Sequence, residues 1–590
     1  MLTPEIILVL IVFAFLLLSL YMEWLKPVVA FFLVVAIFTV SGILKPGDVL
    51  HGFANEQLAV IIMLLFFSEI MRSTSMLERV FTKLFSKATT MQSFLLRMVA
   101  FVAAGSSIFN NTPLVALTMP IVHHWSRKHK VSPSKLMLPL SYAAILGGCV
   151  TLIGTSTNLI VNGMAIESGI PSLQIFDFAW VGLPMLCVGI IYIIVISIRL
   201  LPEKKEPIDE FIETSREFLV ETHVDARSSL IGKSIAEAKL RRLKGLFLVE
   251  IIRKNHIISA VSPNHVLEEG DSLIFTGNTN ALNDLRNPSL GLSLPTSCDL
   301  PRSNDAGIIE AVVSHNSRLA GNKVQDTDFR GIWDAAILAV HRNGEKLRGK
   351  IGDITLKSGD VLLLLTGPDF FARSASAHAF YLLDRQTDKA SVHNGKAWFV
   401  IFGIITAIVL SALHLFSFFN GLLVLLVITL LLRVAPLAEI RRRMDYSLIF
   451  ILALGIALGK AMINSGTADL VATNVLALGK SFGPIGLLAA IFIAGNLLAS
   501  YITNVAAVAM LFPVSISIAL SMQVNVMPFI LIVAYSGAAN FITPVGYQTN
   551  MMVYGPGGYT FRDFFRVGFP LTIAYGIAAV LILSYVYDLW

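Results

Sequence analysis

Long apolar segments separated by short polar turns make up both ends of the chain, whereas the middle alternates apolar and polar positions. An apolar helix of about 20 residues crosses the roughly 30 Å hydrocarbon layer of a bilayer. The middle, residues 201–394, has the short runs, charged turns and Gly-Asp dipeptides of a water-soluble α/β region. The predicted spans are residues 5–24, 27–44, 58–73, 134–154, 176–200, 395–415, 419–435, 445–463, 525–545 and 567–588. This pattern predicts a polytopic α-helical membrane protein with an inserted pair of small α/β domains.

Composition agrees with a chain that lies mostly in a bilayer. Hydrophobic residues make up 55%, charged residues only 14%, and the mean hydropathy is +0.73, whereas soluble domains have about 25% charged residues. The three cysteines, Cys149, Cys187 and Cys298, are scattered, which excludes a disulfide framework. The sequence has no phosphate-binding G-x-x-x-x-G-K-[ST] loop, so transport driven by nucleotide hydrolysis within this chain is not expected.

The basic residues indicate how the chain is oriented. The net charge of +6 comes largely from short segments between apolar runs, such as Arg127, Lys128 and residues 441–443. Cytoplasmic loops of membrane proteins collect such residues, so nucleic acid is not the expected partner. We expect these loops and the insert to be cytoplasmic, both termini to lie outside, and the protein to reside in the inner or plasma membrane. The first apolar run lacks a basic n-region and a cleavage site, which predicts a retained helix.

The two membrane halves contain one motif twice. In the first half, the polar tip 110–113 interrupts an apolar hairpin, and Gly154 follows Asn111 by 43 residues. In the second half, the tip 503–505 does the same, and Gly546 follows Asn504 by 42 residues. Each half has five predicted spans, an odd number, so the second copy runs through the membrane in the opposite sense. The sequence therefore predicts two re-entrant hairpins in inverted repeats, an architecture of secondary transporters.

The repeated tips offer groups that can bind ions. Irregular backbone at membrane depth is tolerated where it lines a cavity. Carbonyl, Asn and Ser or Thr oxygens suit an alkali cation, while the positive dipole at a helix N-terminus suits an anion. The motif predicts a cation-coupled anion site. The alternative is that Asn and Ser only cap helices across a kink; it is less favoured because the motif occurs twice at matched spacing.

The segments 109–122 and 502–514 resemble the paired Ser-Asn-Thr hairpins of the divalent anion–sodium symporter family. This resemblance implies one sodium site per half, with the anion held between the tips. The implied sodium ligands are Ser106, Asn110, Asn111 and Gly154 in the first half and Ala499, Ile502, Asn504 and Gly546 in the second. The implied substrate-binding residues are Asn110, Asn111, Thr112, Thr155, Asn158, Thr503, Asn504 and Asn550. Val505 replaces the family's hydroxyl, which leaves open which anion is bound.

Two ionisable residues fall inside predicted spans. Glu69 and Lys460 occupy equivalent places, 42 and 44 residues before Asn111 and Asn504. Intramembrane charges are costly and usually functional, so Glu69 is a candidate proton site or a charge partner of Lys460. The alternative is that both side chains reach the membrane interface from the ends of their spans.

The insert contains a second repeat, with a spacing of 89 residues. Its segments 267–277 and 356–367 share a Gly-Asp turn followed by an apolar strand and Thr-Gly. They resemble the C-terminal domain of potassium-conductance regulators, the TrkA or RCK C-terminal domain, which implies either regulatory ligand binding or a dimer-stabilising role. A companion G-x-G-x-x-G motif is missing, so NAD is not expected. The predicted division is 1–200 first membrane repeat, 201–215 linker, 216–292 and 293–385 regulator-like domains, and 386–590 second membrane repeat.

Three other functions deserve comparison with sodium-coupled anion transport. A sodium/proton antiporter would use Glu69 and need no organic substrate. A potassium transport protein is suggested by the regulator-like domains and by Val545-Gly546-Tyr547, but Pro544 breaks the pattern of a potassium filter. An enzyme or metal site would have to use His123, His124 and His129, which have no acidic or Cys partner at ligand spacing.

The favoured hypothesis is a secondary active transporter that works by alternating access. It is expected to carry a divalent anion, sulfate or a dicarboxylate, together with sodium. Sodium is the expected coupling ion, no organic cofactor or enzymatic activity is expected, and the scaffold is expected to form a homodimer in membrane lipid.

Overall fold

The computed structural model shows membrane helices at both ends of the chain and two small sheets between them. It describes residues 3–22, 24–72, 76–85, 88–204, 219–226, 228–238, 240, 246–253, 256–259, 265–277, 292–293, 308–314, 317–342, 345–347, 351–367, 369–374, 379–383, 394–434, 446–479 and 482–590. Three predicted features lie outside the described ranges: most of the predicted linker (residues 205–218 are not described), Cys298, and residues 441–443 of the predicted basic loops.

The first membrane half is helical throughout its described length. A hairpin of two helices, α6 and α7, meets at the predicted polar tip, where the Asn110 side chain caps α7 by accepting from Thr112 N. The helices are α1 Pro4–Tyr21, α2 Pro27–Val40, α3 Pro46–Phe53, α4 Glu56–Arg72, α5 Met76–Phe85, α6 Met91–Ser106, α7 Asn111–Lys128, α8 Met137–Gly148, α9 Ser156–Glu167, α10 Ala179–Tyr192 and α11 Ile198–Leu200, the last two joined by a π-helical turn, Ile193–Ser197.

The insert forms two five-stranded antiparallel sheets. The strands are β1 Leu219–Val224, β2 Leu246–Arg253, β3 His256–Ser259, β4 Ser272–Gly277, β5 Leu292–Ser293, β6 Ile308–Val313, β7 Ala335–Arg342, β8 Glu345–Lys346, β9 Val361–Thr366 and β10 Phe380–Leu382, with short helices α12 Phe329–Trp333 and α13 Phe370–Ser374. Their orders, β3-β2-β4-β1-β5 and β8-β7-β9-β6-β10, are the same. The predicted boundary between residues 292 and 293 falls inside β5, so the first module includes Ser293.

An equivalent Arg–Asp ion pair stabilises each of the two modules. Arg253 donates to the buried Asp271 in the first module, and Arg342, 89 residues later, donates to the buried Asp360 in the second. Both hydrogen bonds are 2.7 Å long. The hydrogen bonds from Arg253 to Asp271 raise the pKa of the guanidinium. Each Arg ends the second strand of its module and holds the Gly-Asp turn that the sequence repeats.

The second membrane half repeats the first. Thr503 caps α19 by accepting from Ala506 N at 3.3 Å, as Asn110 caps α7. The helices are α14 Asn394–Ala412, α15 Phe418–Leu431, α16 Tyr446–Asn464, α17 Thr467–Gly479, α18 Gly483–Tyr501, α19 Asn504–Met522, α20 Met527–Ala538, α21 Gln548–Tyr554 and α22 Phe561–Val586.

Two predicted spans are not continuous helices. The segment predicted at 134–154 is α-helical only over Met137–Gly148, and that at 525–545 only over Met527–Ala538. In both segments the chain then leaves helical geometry because a threonine hydroxyl, Thr151 or Thr543, bonds backbone groups of the hairpin and of its own loop.

Seven helices of the described residues are long and apolar enough to cross a bilayer, and shorter apolar helices accompany them. Two of the seven are α18 and α19, the arms of the second hairpin, which the sequence analysis predicts to be re-entrant. Helix length therefore supports a multi-pass membrane protein, and the arms of the second hairpin are long enough to cross the bilayer.

The second module packs directly on the membrane helices. Val312, Val361 and Leu383 belong to the same buried apolar cluster as the helices of both membrane halves. The described core of the first module, with Ile251 and Phe275, forms a separate cluster. The two modules thus have the same fold but different surroundings.

Candidate functional site

The tip of the first hairpin is a cluster of buried oxygens around Asn111. The Ser106 hydroxyl, at the end of α6, lies against the Asn111 side chain and donates to the Ala144 carbonyl of α8 at 2.7 Å. The same end of the Asn111 amide lies 3.2 Å from the Ala144 oxygen and 3.3 Å from the Gly154 oxygen. Ser106 and Asn111 are buried. We call Ser106 Oγ, Asn111 Oδ1, Ala144 O and Gly154 O the first oxygen cluster.

Hard oxygen ligands of this kind suit an alkali or alkaline-earth cation better than a transition metal. The described residues contain no group of three or more His, Cys, Asp or Glu placed to hold a metal. The first oxygen cluster has no carboxylate, so it can hold a cation of low charge through carbonyl and hydroxyl dipoles alone.

The second half reaches into this cluster. The Tyr547 hydroxyl lies 2.6 Å from Asn111 Nδ2 and 3.1 Å from the Thr155 hydroxyl. Beside it, Thr112 donates from its hydroxyl to Gln548 Oε1 at 2.8 Å. The tip of one hairpin is therefore completed by the loop that precedes α21 in the other half.

The Asn111 side-chain position fits either placement of its amide O and N atoms, which are assigned from the hydrogen bonds around them. With Oδ1 toward Ser106, oxygens face one another and Nδ2 donates to the Tyr547 hydroxyl. With Nδ2 toward Ser106, the amide donates to the surrounding oxygens and its Oδ1 accepts from the Tyr547 hydroxyl at 2.6 Å. The first orientation suits a cation-bound cluster, because a cation satisfies the converging oxygens, and the second suits a cation-free cluster.

Both halves use the same hydrogen-bonded frame. In the first, Thr151 Oγ1 donates to Ser107 O and accepts from Gly154 N, while Asn158 Nδ2 donates to Thr151 O at 2.9 Å. In the second, the corresponding groups are Thr543, Ser500, Gly546 and Asn550, with the last bond at 3.0 Å. The predicted residues Asn158 and Asn550 thus hold the interrupted loops in shape.

The glycines of this frame allow close backbone contact. A Cβ on Gly154 would lie 2.8 Å from Ser106 O, and one on Gly546 would lie 2.8 Å from Ala499 O. Contacts this short exclude any side chain. The predicted residues Gly154 and Gly546 are therefore placed against the ends of α6 and α18.

The second tip differs in its contents. Asn504 begins α19, and its buried Oδ1 has no hydrogen-bond partner among the residues the structure describes. Ser500 donates instead to Asn540 Oδ1 at 3.2 Å. Ile502 is buried, and Thr503 serves as the helix cap. The predicted residues lie at the tip, but an additional amide lies among them.

Sequence reasoning missed several participants. Tyr547 and Gln548 lie within the segment 543–550 that the sequence repeat singled out, but their contacts are with the opposite half. Ala144 contributes only a carbonyl, which no side-chain pattern reveals. Ser141 of α8 donates to Asn550 Oδ1 at 2.7 Å, which ties the two interrupted segments together.

The two predicted intramembrane charges lie on different helices. Glu69 is buried on α4, whereas Lys460 on α16 is half-buried. Glu69 has interactions within its surroundings, so its burial leaves it a candidate proton site.

His123 connects the first hairpin to the insert. Its Nε2 lies 3.5 Å from Glu310 Oε2 of β6, and both side chains are 2% exposed. The sequence analysis found no acidic partner for the histidines because Glu310 is distant in the chain. The contact explains His123 as a docking residue.

Helix α21 joins the site to the second module. Its first turn follows Tyr547, whereas Met551 in its middle and Gly555 just after its end face the turn at Gly359. A Cβ on Gly555 would lie 2.4 Å from the Gly359 carbonyl oxygen, so this contact requires glycine. A seven-residue helix therefore separates the Asn111–Tyr547 contact from the soluble insert.

Interrupted helices that meet a hairpin tip around buried oxygens are a feature of secondary transporters. Together with the long apolar helices, they define this protein as a multi-pass membrane transport protein. The sequence profile of the family described as citrate transporter matches residues 8–494 and 421–589. The chain belongs to this family.

Individual relatives agree with that assignment. A putative sulfur deprivation response regulator of Chlamydomonas reinhardtii is 34% identical over 91% of this chain and 94% of its own length. An uncharacterized transporter of Synechocystis sp. is 31% identical over 99% of this chain and 97% of its own length. Sodium/sulfate cotransporter 2 of C. reinhardtii is 24% identical over 95% and 87%. These similarities support a permease like the divalent anion–sodium symporters, and they indicate a transporter rather than an enzyme.

Proposed function

We propose that the protein is a sodium-coupled symporter of a divalent anion that works by alternating access. The observation that carries this proposal is the first oxygen cluster, which is contacted by a hydroxyl from the opposite half. The anion would bind between the two hairpin tips, where the N-termini of α7 and α19, with their positive dipole ends, begin. The sodium/sulfate cotransporter among the relatives makes sulfate the first anion to test, with succinate and citrate next.

The Asn111 amide provides a physical link between cation and anion. When sodium binds, Asn111 Oδ1 faces the cation, and Nδ2 donates to the Tyr547 oxygen. The Tyr547 hydrogen is then available to Thr155 or to the anion. Without sodium, the same hydrogen is taken up by Asn111 Oδ1. Sodium binding thus creates a hydrogen-bond donor on the anion side of the tip.

The insert is proposed to regulate transport from the cytoplasm. The second module touches both α7, through His123, and the end of α21, through Gly359. A change in this module would therefore reach the two elements that meet at Tyr547. We also propose the inverted arrangement of the halves, cytoplasmic basic loops, external termini and a homodimer.

Uptake into proteoliposomes tests the proposal. Purified protein is reconstituted, and uptake of radiolabelled sulfate, succinate and citrate is measured with and without an inward sodium gradient. We expect sodium-dependent accumulation of at least one anion and its loss in Asn111→Ala. The matched control is Asn474→Ala, which removes an exposed helical amide that donates to Leu470 O.

The opposite result is equally clear. If no anion accumulates and sodium instead drives proton movement, the protein is a sodium/proton antiporter and Glu69 becomes the residue to mutate. If uptake persists unchanged in Asn111→Ala, the assignment of the first oxygen cluster is wrong.

A further inference from the structure

The two halves can be aligned residue by residue. The hairpins correspond at a spacing of 393 residues, as in Asn111 and Asn504, and the interrupted segments at 392, as in Thr151 and Thr543. The shared hydrogen-bonded frame shows that this alignment holds in space. The residues that surround each frame can therefore be compared directly.

The hydroxyl of the first oxygen cluster has no counterpart in the second half. Ser106 corresponds to Ala499, whose methyl group cannot ligate a cation. The next residue, Ser500, turns its hydroxyl to Asn540 Oδ1. One of the four oxygens is thus removed by the sequence itself.

A buried amide fills the corresponding space. Gly148 leaves room for Asn111, since a Cβ on Gly148 would lie 2.8 Å from both terminal atoms of the Asn111 amide. Its counterpart is Asn540, which is completely buried. Asn540 Nδ2 lies against Gly546, at 2.2 Å from a Cβ placed there. The Asn540 side chain therefore occupies the region beside the second glycine.

A second amide donates to the carbonyl that would complete an equivalent oxygen cluster in the second half. Ala144 O, a member of the first oxygen cluster, corresponds to Ser536 O. Ser536 O accepts from Asn496 Nδ2 at 3.3 Å, and the same amide donates to Ala539 O at 2.9 Å. Asn496 is buried and replaces Ala103 of the first half. The Ser536 carbonyl thus accepts from an amide N–H, whereas its counterpart, the Ala144 carbonyl, accepts from the Ser106 hydroxyl.

The remaining polar atoms of the second tip also differ in kind. Among the described residues, Asn504 Oδ1 is a buried acceptor without a partner, and Asn540 Nδ2 is a buried donor without one. One water molecule can satisfy a donor and an acceptor together, whereas a cation would satisfy only the acceptor. The first tip has one amide, that of Asn111, beside a hydroxyl and two carbonyls, whereas the second adds the amides of Asn496 and Asn540 to that of Asn504.

We infer that the two halves are not equivalent cation sites: sodium binds at the first oxygen cluster, and the amides of Asn496 and Asn540 take the place of a cation in the second half. This inference rests on the proposed function and narrows it to one sodium ion per chain. The second hairpin then contributes to anion binding and to the moving core without binding a sodium ion.

Sodium binding to the purified full chain tests the inference. Equilibrium binding of ²²Na⁺ is measured in detergent, and the ratio of ²²Na⁺ to radiolabelled anion uptake is measured in proteoliposomes. We expect one saturable sodium per chain, none in Asn111→Ala, and still one in Asn540→Ala. If Asn540→Ala does not fold, the number of sodium ions bound per chain is measured in Asn540→Ser and compared with that of the wild-type chain.

The outcomes are distinct. Two sodium ions per chain, or the loss of a sodium ion when Asn540 is replaced, would overturn this inference while leaving sodium symport intact. No saturable sodium binding to the wild-type chain would remove both this inference and the sodium coupling of the proposed function.

Discussion

The two halves of the membrane domain share a frame and differ in what the frame holds. Thr151 and Thr543 make the same hydrogen bonds, but the first frame lies beside the single amide of Asn111, whereas the second also lies beside the amides of Asn496 and Asn540. The halves also differ in their neighbours. Helix α21 of the second half ends on the soluble module, whereas its counterpart α9 packs against the membrane helices α4 and α20.

This difference shows how two halves with the same backbone frame can have different binding functions. The backbone frame is preserved because each hydrogen bond within it is buried and would be costly to lose. Side chains beside the frame are free to change from acceptor to donor without altering its shape. One half can therefore bind the coupling ion while the other supplies the anion contacts and the connection to the insert.

The largest effect is expected from Asn111→Ala. The change removes the oxygen and the amide that join Ser106, Gly154 and Tyr547. Sodium-dependent uptake should fall to background, whereas Asn504→Ala should retain sodium dependence with a higher anion concentration for half-maximal uptake. Uptake curves for both variants measure this contrast, with Asn474→Ala as the control. Equal loss of sodium dependence in both variants would contradict the division between the halves.

Arg342→Ala tests the module that contacts α21. The change leaves the buried carboxylate of Asp360 without its ion pair, and the loss of such a pair costs about 3 kcal/mol in the free energy of unfolding. We expect a lower unfolding temperature and reduced uptake.

The matched control for this change is Arg253→Ala, which breaks the equivalent pair with Asp271 in the first module. It should lower stability similarly while changing uptake less, because Val312, Val361 and Leu383 of the second module belong to the apolar cluster of the membrane helices and the described core of the first module does not. Equal effects on uptake would argue against a special role for the second module.

Tyr547→Phe tests the contact between the halves. The ring is kept, and only the hydroxyl that lies near Asn111 and Thr155 is lost. A hydrogen bond of about 1 kcal/mol corresponds to roughly a fivefold change in an equilibrium constant. We expect about that increase in the sodium concentration for half-maximal uptake.

Tyr554→Phe is the control for Tyr547→Phe, because it removes a hydroxyl at the other end of α21. An unchanged sodium dependence in Tyr547→Phe would show that Asn111 acts without the opposite half.

The smallest effect is expected from Glu310→Gln. The substitution keeps the shape of the side chain and removes the charge beside His123. We expect uptake to change by about two- to threefold, corresponding to roughly 0.5 kcal/mol, with little change in the unfolding temperature. His123→Gln should give a similar change, and the double variant should add little further because both changes affect one contact. Additive effects would place the two residues in separate interactions.

The sequence by itself determined the apolar helices, the strand-rich region between them and the motif that occurs in both membrane halves. Apolar length, turn residues and matched spacing are local properties, so the tips at Asn111 and Asn504 could be located before the structure. Of the other predicted residues, Thr155 precedes α9 and contacts the Tyr547 hydroxyl, while Asn158 in the first turn of α9 holds the interrupted loop. The predicted anion, coupling ion and orientation remain predictions.

Only the tertiary structure decided how the repeats meet. Tyr547 reaches Asn111 across 436 positions of the chain, Glu310 reaches His123 from the insert, and Asn540 Oδ1 accepts from the Ser500 hydroxyl of the hairpin. None of these follows from periodicity, because contacts between distant segments depend on which buried surfaces pack together. A repeat in sequence fixes an equivalent backbone, while the packing around each copy decides whether its polar groups face a cation or one another.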